Sequence, residues 1–338
     1  MYSVVRRLLF CFDPELVHAF TLYLMKLAGD VRPFGELLRR LYAVPPKPVE
    51  AFGLTFPNRL GLAAGYDKDG LSWRGLACLG FGHIEIGAVT PHSQPGNLKP
   101  RLFRLPKEQA LINRMGFPGK GADFVARQLQ GRRPHNLILG LNLGKNRATP
   151  LEQAADDYRY LMTVFASLVD FMVINISSPN TVGLRRLQAR QALDDLLAPI
   201  VDKRRRLEIE LGRRVPLLVK LSPDMSDGEL DDALDVIVAR GVDGVVATNT
   251  TLSREGCHSP LAVQTGGVSG APLRQRSTQV IRHIVKYTQG KLPVIGVGGI
   301  MSAADAREKL DAGAVLVQIY TGLVFRGPGL IREIIRGC

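Results

Sequence analysis

A chain of 338 residues, 46% hydrophobic and 22% charged, has the length for one large domain or two ordinary ones and the make-up of a core-forming globular protein, which excludes a disordered or membrane-spanning chain. Its net charge of +13 suits nucleic acid, anionic lipid or an anionic small molecule as partner, and equally suits a merely well-solvated surface. The four cysteines, Cys11, Cys78, Cys257 and Cys338, lie far apart without C-x-x-C spacing, which argues against zinc and against a disulfide framework and fits a reducing compartment.

The first fifty residues differ in kind from the rest. Val4, Val5, Leu8, Leu9 and Phe12 recur at helical spacing, with Arg6 and Arg7 on the other side. Asp13 and Pro14 break that segment and suit a new helix start. Leu16, Phe20, Tyr23, Leu24 and Leu27 form a second stripe, and Phe34, Leu37, Leu38, Leu41 and Tyr42 a third, so the spacing predicts three short amphipathic helices. The uncharged run from Leu16 to Met25 is too short to cross a bilayer, and no small-residue cleavage site follows it, so neither a membrane span nor a secretory leader is expected. The helices are either a cap on the main domain or a hairpin lying in a membrane surface. Residues 45–48 (PPKP) read as a stiff extended linker, dividing an N-terminal segment, 1–48, from a main domain, 49–338.

From residue 50 one unit recurs: an apolar strand, a polar or glycine-rich loop, an amphipathic helix. Candidate strands run from Leu60 to Ala64, His83 to Ala88, Leu137 to Asn142, Phe171 to Ile176, Leu217 to Leu221, Gly244 to Asn249, Val294 to Val297 and Ala314 to Ile319. This alternation over the remaining length predicts an α/β fold, a (β/α)8 TIM barrel. A doubly wound open sheet is the alternative, but the first strand is followed by AAGYDKDG and not by a G-x-G-x-x-G phosphate turn. Residues 90–117 are too long for a simple connection and are read as a β-hairpin excursion over the barrel mouth.

In a barrel, function gathers where strands end. The fourth strand changes character most sharply: residues 171–181 (FMVINISSPNT) pass from apolar to Asn175, Ser177, Ser178 and Asn180, with Pro179 restraining the backbone. Taken alone this is a strand ending in a turn. The other ends supply Ala63, Ala64, Gly65 and Lys68, then Gly87 and Ala88, Asn142, Lys220, Thr248 to Thr250, Gly298 and Gly299, and Tyr320 to Gly322, while the excursion supplies Asn113. Glycines after the last two strands, followed by helices starting at Ser302 and Pro328, expose backbone N–H groups to an anion. Ala63, Ala64 and Gly65 lack bulk and let a flat ring lie against backbone. Lys220, in an apolar strand, needs an acceptor: a structural ion pair or a developing anion.

The chain resembles the dihydroorotate dehydrogenases, and specifically their membrane-associated, quinone-dependent class. The resemblance is carried by residues 58–70 (NRLGLAAGYDKDG), 113–117 (NRMGF), 175–181 (NISSPNT), 219–223 (VKLSP), 248–251 (TNTT), 266–270 (GGVSG), 296–300 (GVGGI) and 320–322 (YTG), which span nearly the whole chain in order. It implies a barrel that holds FMN and oxidises dihydroorotate to orotate in pyrimidine biosynthesis, with ubiquinone or another membrane quinone as electron acceptor. By position, Ala63, Ala64, Gly65, Tyr66, Ala88, Asn142, Asn175, Lys220, Thr248, Gly270, Gly299, Tyr320 and Thr321 would contact FMN. Lys68, Asn113, Arg114, Met115, Gly116, Phe117, Asn175, Asn180, Asn249 and Thr250 would hold the substrate, and Ser178 would be the catalytic base. Ala88 departs from the threonine common in the family, leaving a backbone contact or none. Val182 stands where a proline is usual, which would loosen the loop bearing Ser178. Ser178, where the soluble class carries cysteine, and the N-terminal extension both point to the quinone-dependent class, peripheral on the anionic cytoplasmic face of the cell (inner) membrane. The resemblance implies neither a metal nor a nucleic-acid partner. The rival, a tRNA-modifying dihydrouridine synthase, is also a basic FMN barrel but would want a catalytic cysteine at a strand end.

Overall fold

The computed structural model describes residues 2–338; Met1, with which the expected N-terminal segment begins, lies outside the described residues. The three expected helices are α1 (Tyr2–Phe10), α2 (Pro14–Asp30) and α3 (Arg32–Tyr42). Asp13 starts α2 as its sequence suggests, its Oδ1 accepting from the N–H groups of Glu15 and Leu16 at 2.9 and 3.0 Å, with Pro14 in the first turn. Backbone contact docks this segment on the main domain: at Gly75 a Cβ would collide with the Met25 carbonyl of α2.

After the linker, β1 (Val49–Ala51) and β2 (Leu54–Phe56) form an antiparallel hairpin. Then follow β3 (Leu60–Leu62), α4 (Trp73–Ala77), β4 (His83–Val89), β5 (Leu102–Leu105), β6 (Ala110–Asn113), α5 (Ala122–Leu129), β7 (Ile138–Leu143), α6 (Ala154–Phe165), β8 (Phe171–Asn175) and α7 (Arg190–Leu211). The chain continues with β9 (Leu217–Leu221), α8 (Asp227–Ala239), β10 (Gly244–Ala247), β11 (Gly267–Gly270), α9 (Arg274–Tyr287), β12 (Val294–Val297), α10 (Ala303–Asp311), β13 (Leu316–Ile319), α11 (Thr321–Arg326) and α12 (Gly329–Gly337).

Strands β3, β4, β7, β8, β9, β10, β12 and β13 close a parallel barrel, β13 pairing back onto β3 with Val317 opposite Leu60. All eight match the apolar runs expected from sequence. Their β-branched and leucine side chains suit burial on both faces, against helices outside and against one another inside. Strands β3 and β10 end at Leu62 and Ala247, short of the expected ends, although the N–H groups of Ala63, Thr248 and Asn249 still bond to the neighbouring strands. At the opposite end the β1–β2 hairpin, which sequence patterning did not reveal, plugs the barrel: Ala51 and Phe56 pack with Phe171, Leu218, Val246, Ile295 and Leu316.

Two local expectations are corrected. The excursion is not a lone hairpin, since β11, from the loop after β10, adds a third antiparallel strand in the order β11-β6-β5. A glycine-rich GGVSG run carries no alternation to announce a strand; it pairs because Gly266 and Gly270, at φ +123° and +99°, approach the backbone of Asn113 and Gln109 more closely than any side chain allows. The helix after β13 begins at once with Thr321, so the start expected at Pro328 belongs only to α12.

Candidate active site

A cavity opens at the C-terminal end of the barrel strands. Its floor is built from strand ends. Asn175, closing β8, donates from Nδ2 to Asn142 Oδ1 on β7 at 2.8 Å, and Asn142 donates from Nδ2 to Glu85 Oε1 on β4 at 2.6 Å. Glu85 Oε2 accepts from Gln318 Nε2 on β13 at 2.8 Å. On the other side Asn249, just past β10, donates from Nδ2 to Asn175 Oδ1 at 3.3 Å and to Ser177 Oγ at 3.0 Å. A chain of hydrogen bonds thus crosses the barrel, as polar groups in an apolar interior require.

The loop after β8 forms one wall. Ser178 Oγ accepts from the Asn180 N–H at 3.3 Å, and Thr181 Oγ1 is buried without a partner. Asn180 Nδ2 donates to Asn113 Oδ1 at 3.1 Å, tying this loop to the excursion sheet above it. Asn97 fastens both from behind, donating to Asn180 O at 3.1 Å and Arg114 O at 3.0 Å. Arg185 braces the loop from the other side: its Nε donates to Ser177 O at 3.1 Å and its Nη2 to Thr250 O at 3.0 Å, while Nη1 pairs with Asp224 at 2.8 Å.

Two lysines face the cavity. Lys220 is buried and pairs with no carboxylate among the described residues, so the ion-pair alternative falls away. Lys68 Nζ donates to Gly65 O at 2.6 Å, and burial, only partly opposed by Asp69, pushes its ammonium down to a pKa of about 8. From α2, His18 Nε2 lies 2.8 Å from Tyr66 O; burial first and Lys68 second hold its pKa down at about 4, so it is neutral near pH 7. Opposite, Gly298 and Gly299 turn with φ +126° and +72°, and Thr321 Oγ1 lies 2.8 Å from Ser269 Oγ at the start of α11.

Of the residues that the family resemblance assigns to flavin, substrate or catalysis, Ala63, Ala64, Gly65, Lys68, Ala88, Asn113, Met115, Gly116, Phe117, Asn175, Ser178, Asn180, Lys220, Thr248, Asn249, Thr250, Gly270, Gly299, Tyr320 and Thr321 line this one cavity. Three do not. Tyr66 is buried behind Tyr320, their rings 5.4 Å apart, and Asn142 is hydrogen-bonded behind Asn175. Arg114 turns its guanidinium away, bonding Gln264 Oε1 at 2.9 Å and lying 4.7 Å over the Phe103 ring, so its side chain is not a cavity group. Sequence reasoning passed over Glu85, Gln318, His18 and Arg185. Glu85 and Gln318 were findable, being polar residues inside apolar strands just as Lys220 is.

Residues 48–338 match the family model described as Dihydroorotate dehydrogenase. The chain belongs to the dihydroorotate dehydrogenase family. A dihydroorotate dehydrogenase (quinone) of Escherichia coli O1:K1 / APEC is 50% identical over 338 residues, covering 99% of this chain and 98% of its own. One of Cellvibrio japonicus (strain Ueda107) is 48% identical over 332 residues, covering 98% and 96%. The crystal structure of DHODH from Eimeria tenella in complex with ferulenol superposes with a TM-score of 0.86 at 36% identity, covering 96% of this chain and 90% of its own; the ligand-free form gives 0.81 at 37%, covering 92% and 93%. The dihydroorotate dehydrogenase model begins at residue 48, where the linker ends, whereas the bacterial relatives also run through the N-terminal helices.

Proposed function

We propose that this chain oxidises dihydroorotate to orotate in pyrimidine biosynthesis, with FMN in the barrel cavity and a membrane quinone as final electron acceptor. Its relatives at about half identity carry the name dihydroorotate dehydrogenase (quinone). The observation that carries the reading is the convergence, in one cavity, of Asn113, Asn175, Asn180 and Asn249 with Ser178 and two lysines. Dihydroorotate offers ring N–H and C=O groups to such amides and a carboxylate to Lys68. No cysteine lines the cavity among the described residues, which disfavours the tRNA-modifying alternative.

The residues fit a flavin mononucleotide. Ala63, Ala64, Gly65 and Ala88 leave a flat wall for a ring, Gln318 Oε1 is a buried acceptor without a donor, and Gly298, Gly299 and Thr321 offer backbone N–H groups and a hydroxyl to a phosphate. When bound, FMN supplies the hydride acceptor for the substrate carbon next to the one that loses its proton. Lys220, compact and unpaired, stabilises negative charge developing on its side of the cavity. Ser178 takes the substrate proton, its Oγ held by the Asn180 N–H so that its own hydrogen can pass onward, with the unpartnered Thr181 hydroxyl close in the chain to receive it. Asn113 and Asn180, bonded to each other, keep the ring in register with Ser178.

Residues 1–48 are read as the membrane-associating segment, peripheral on the cytoplasmic face, and as the quinone's access path, because α2 brings His18 to the cavity and leaves apolar side chains outside. The visible spectrum of the purified chain tests the core of the reading. A yellow, flavin-containing protein should bleach on anaerobic addition of dihydroorotate and recolour with a quinone; colourless protein, or flavin that dihydroorotate leaves oxidised, would sink it.

A further inference from the structure

The eight barrel strands carry one carboxylate, Glu85, and one ammonium, Lys220. Lys220 faces the cavity, whereas Glu85 is 1% exposed and is not a cavity-lining residue. Both its oxygens are engaged, Oε1 by Asn142 Nδ2 at 2.6 Å and Oε2 by Gln318 Nε2 at 2.8 Å. An ionised carboxylate accepts hydrogen bonds and cannot donate them. Each amide that meets it must turn its NH2 group inward, leaving its oxygen to face the other way. For Asn142 that oxygen takes the NH2 of Asn175, so Asn175 in turn presents its own oxygen to Asn249 and Ser177. For Gln318 the oxygen has no partner among the described residues, although the residue is 0% exposed and lines the cavity. A buried acceptor on a cavity-lining residue calls for a donor, from a water or from whatever binds there.

We propose that Glu85 is the positioning residue that sets the hydrogen-bond polarity of the cavity floor, and that Gln318 Oε1 is the acceptor thereby presented to an N–H group of the bound flavin. This rests on the reading above that FMN occupies the cavity. Neither amide has an intrinsic orientation, since its two ends are nearly the same size; the one negative charge decides which end looks up. In Glu85→Gln the new side chain keeps one oxygen for Asn142 and turns an NH2 toward Gln318. Gln318, unbonded on its far side, then rotates and offers the cavity a donor where an acceptor stood. Glu85→Gln combined with Gln318→Glu reverses the pair: the carboxylate at 318 accepts from the amide at 85, and its second oxygen again faces the cavity.

The test is the FMN affinity of the full-length chain, read from the fluorescence of free flavin, with circular dichroism to establish folding. Glu85→Gln should bind FMN about 10- to 100-fold more weakly, the scale of a charged hydrogen bond misdirected in a site built for it. The double variant should recover most of that loss, which a merely structural role for Glu85 does not predict. Unchanged affinity in Glu85→Gln, or a folded double variant as weak as the single one, overturns the proposal. Should Glu85→Gln not fold, Gln318→Met removes the same acceptor at similar volume: weaker binding supports the proposal and unchanged affinity overturns it. An unaltered chain that binds no FMN overturns both this proposal and the cofactor reading beneath it, and so separates the two failures.

Discussion

A serine hydroxyl is a poor base until its own hydrogen has somewhere to go, and the Ser178 loop is built around that need. Its oxygen is pinned by the Asn180 N–H, while the side chains of Asn113, Asn180 and Asn249, which would grip the ring, bond to one another, to Asn175 and to Ser177 and not to the Ser178 side chain. Ser178→Ala should therefore slow flavin bleaching by dihydroorotate by roughly 10²–10⁴-fold and leave orotate affinity nearly unchanged. Stopped-flow absorbance of a single turnover measures the first and spectral titration the second; an alanine variant bleaching at the unaltered rate would move the proton transfer to another group. Lys68 adds a pH dependence. Only its protonated form attracts a carboxylate, and burial brings its pKa to about 8. Orotate affinity should hold steady through neutral pH and decline above about 8, by at most tenfold per pH unit. Lys68→Met should bind orotate weakly at every pH, and a wild-type profile flat through pH 9 would count against Lys68 as the carboxylate's partner.

At the scale of elements, α2 docks on the main domain with little of itself fully buried, having one buried residue, Ala28, as α3 has one, Gly35, and α1 none. Its strongest polar tie is Glu15 to Arg101, at 2.7 Å, and Arg101 is itself held by Pro95 O and Asn97 O at 2.6 and 2.9 Å. Burial raises the Glu15 pKa, but the bond and charge of Arg101, helped by Lys99, outweigh it and hold the carboxyl below its usual 4.5. A carboxylate depressed in the folded state contributes its attraction above the ordinary value and loses it as pH falls through the lower one. Acidification below the usual carboxylate range should therefore loosen α2 before the barrel, seen as faster amide exchange in residues 14–30. Glu15→Gln should give the same loosening at neutral pH; equal protection of α2 in both proteins would show that the pair is not what holds it.

For the whole molecule, the telling feature is where apolar side chains are left outside. Val4, Leu8, Leu16, Phe20, Tyr23, Phe34, Leu37 and Leu41 on the three N-terminal helices, and Phe12 between the first two, are all exposed, in the same segment as Arg7, Arg39 and Arg40. Among the described residues no helix is long and apolar enough to cross a membrane. So many exposed apolar side chains in one segment, interspersed with cations, suit a surface that offers lipid and anionic headgroups together. The full chain should sediment with anionic vesicles and less with neutral ones. A chain starting at Pro45 should stay in solution, still be reduced by dihydroorotate and react poorly with a lipophilic quinone. Equal vesicle binding or full quinone activity in the shortened chain would reduce the helices to a cap.

The apolar runs, the polar residues at their ends and the three amphipathic stripes were legible in the sequence because each is written in neighbouring residues, where strand and helix periods show directly. Hence the eight strands, the barrel they imply and most of the cavity-lining residues could be named in advance. Only the closed barrel decided what lies between remote segments. The β1–β2 plug and β11 are too short or too glycine-rich to carry a period, and they become strands by packing on partners far along the chain. Arg114 sits in a run matching the family, yet Gln264 and Phe103 draw it outward. His18 reaches the cavity because α2 docks over the barrel mouth, and Glu85 meets both Asn142 and Gln318 because closure brings β13 round beside β3, next to β4. A residue's type declares which bonds it can make; register and closure, set by packing across the whole barrel, decide which of them it does make.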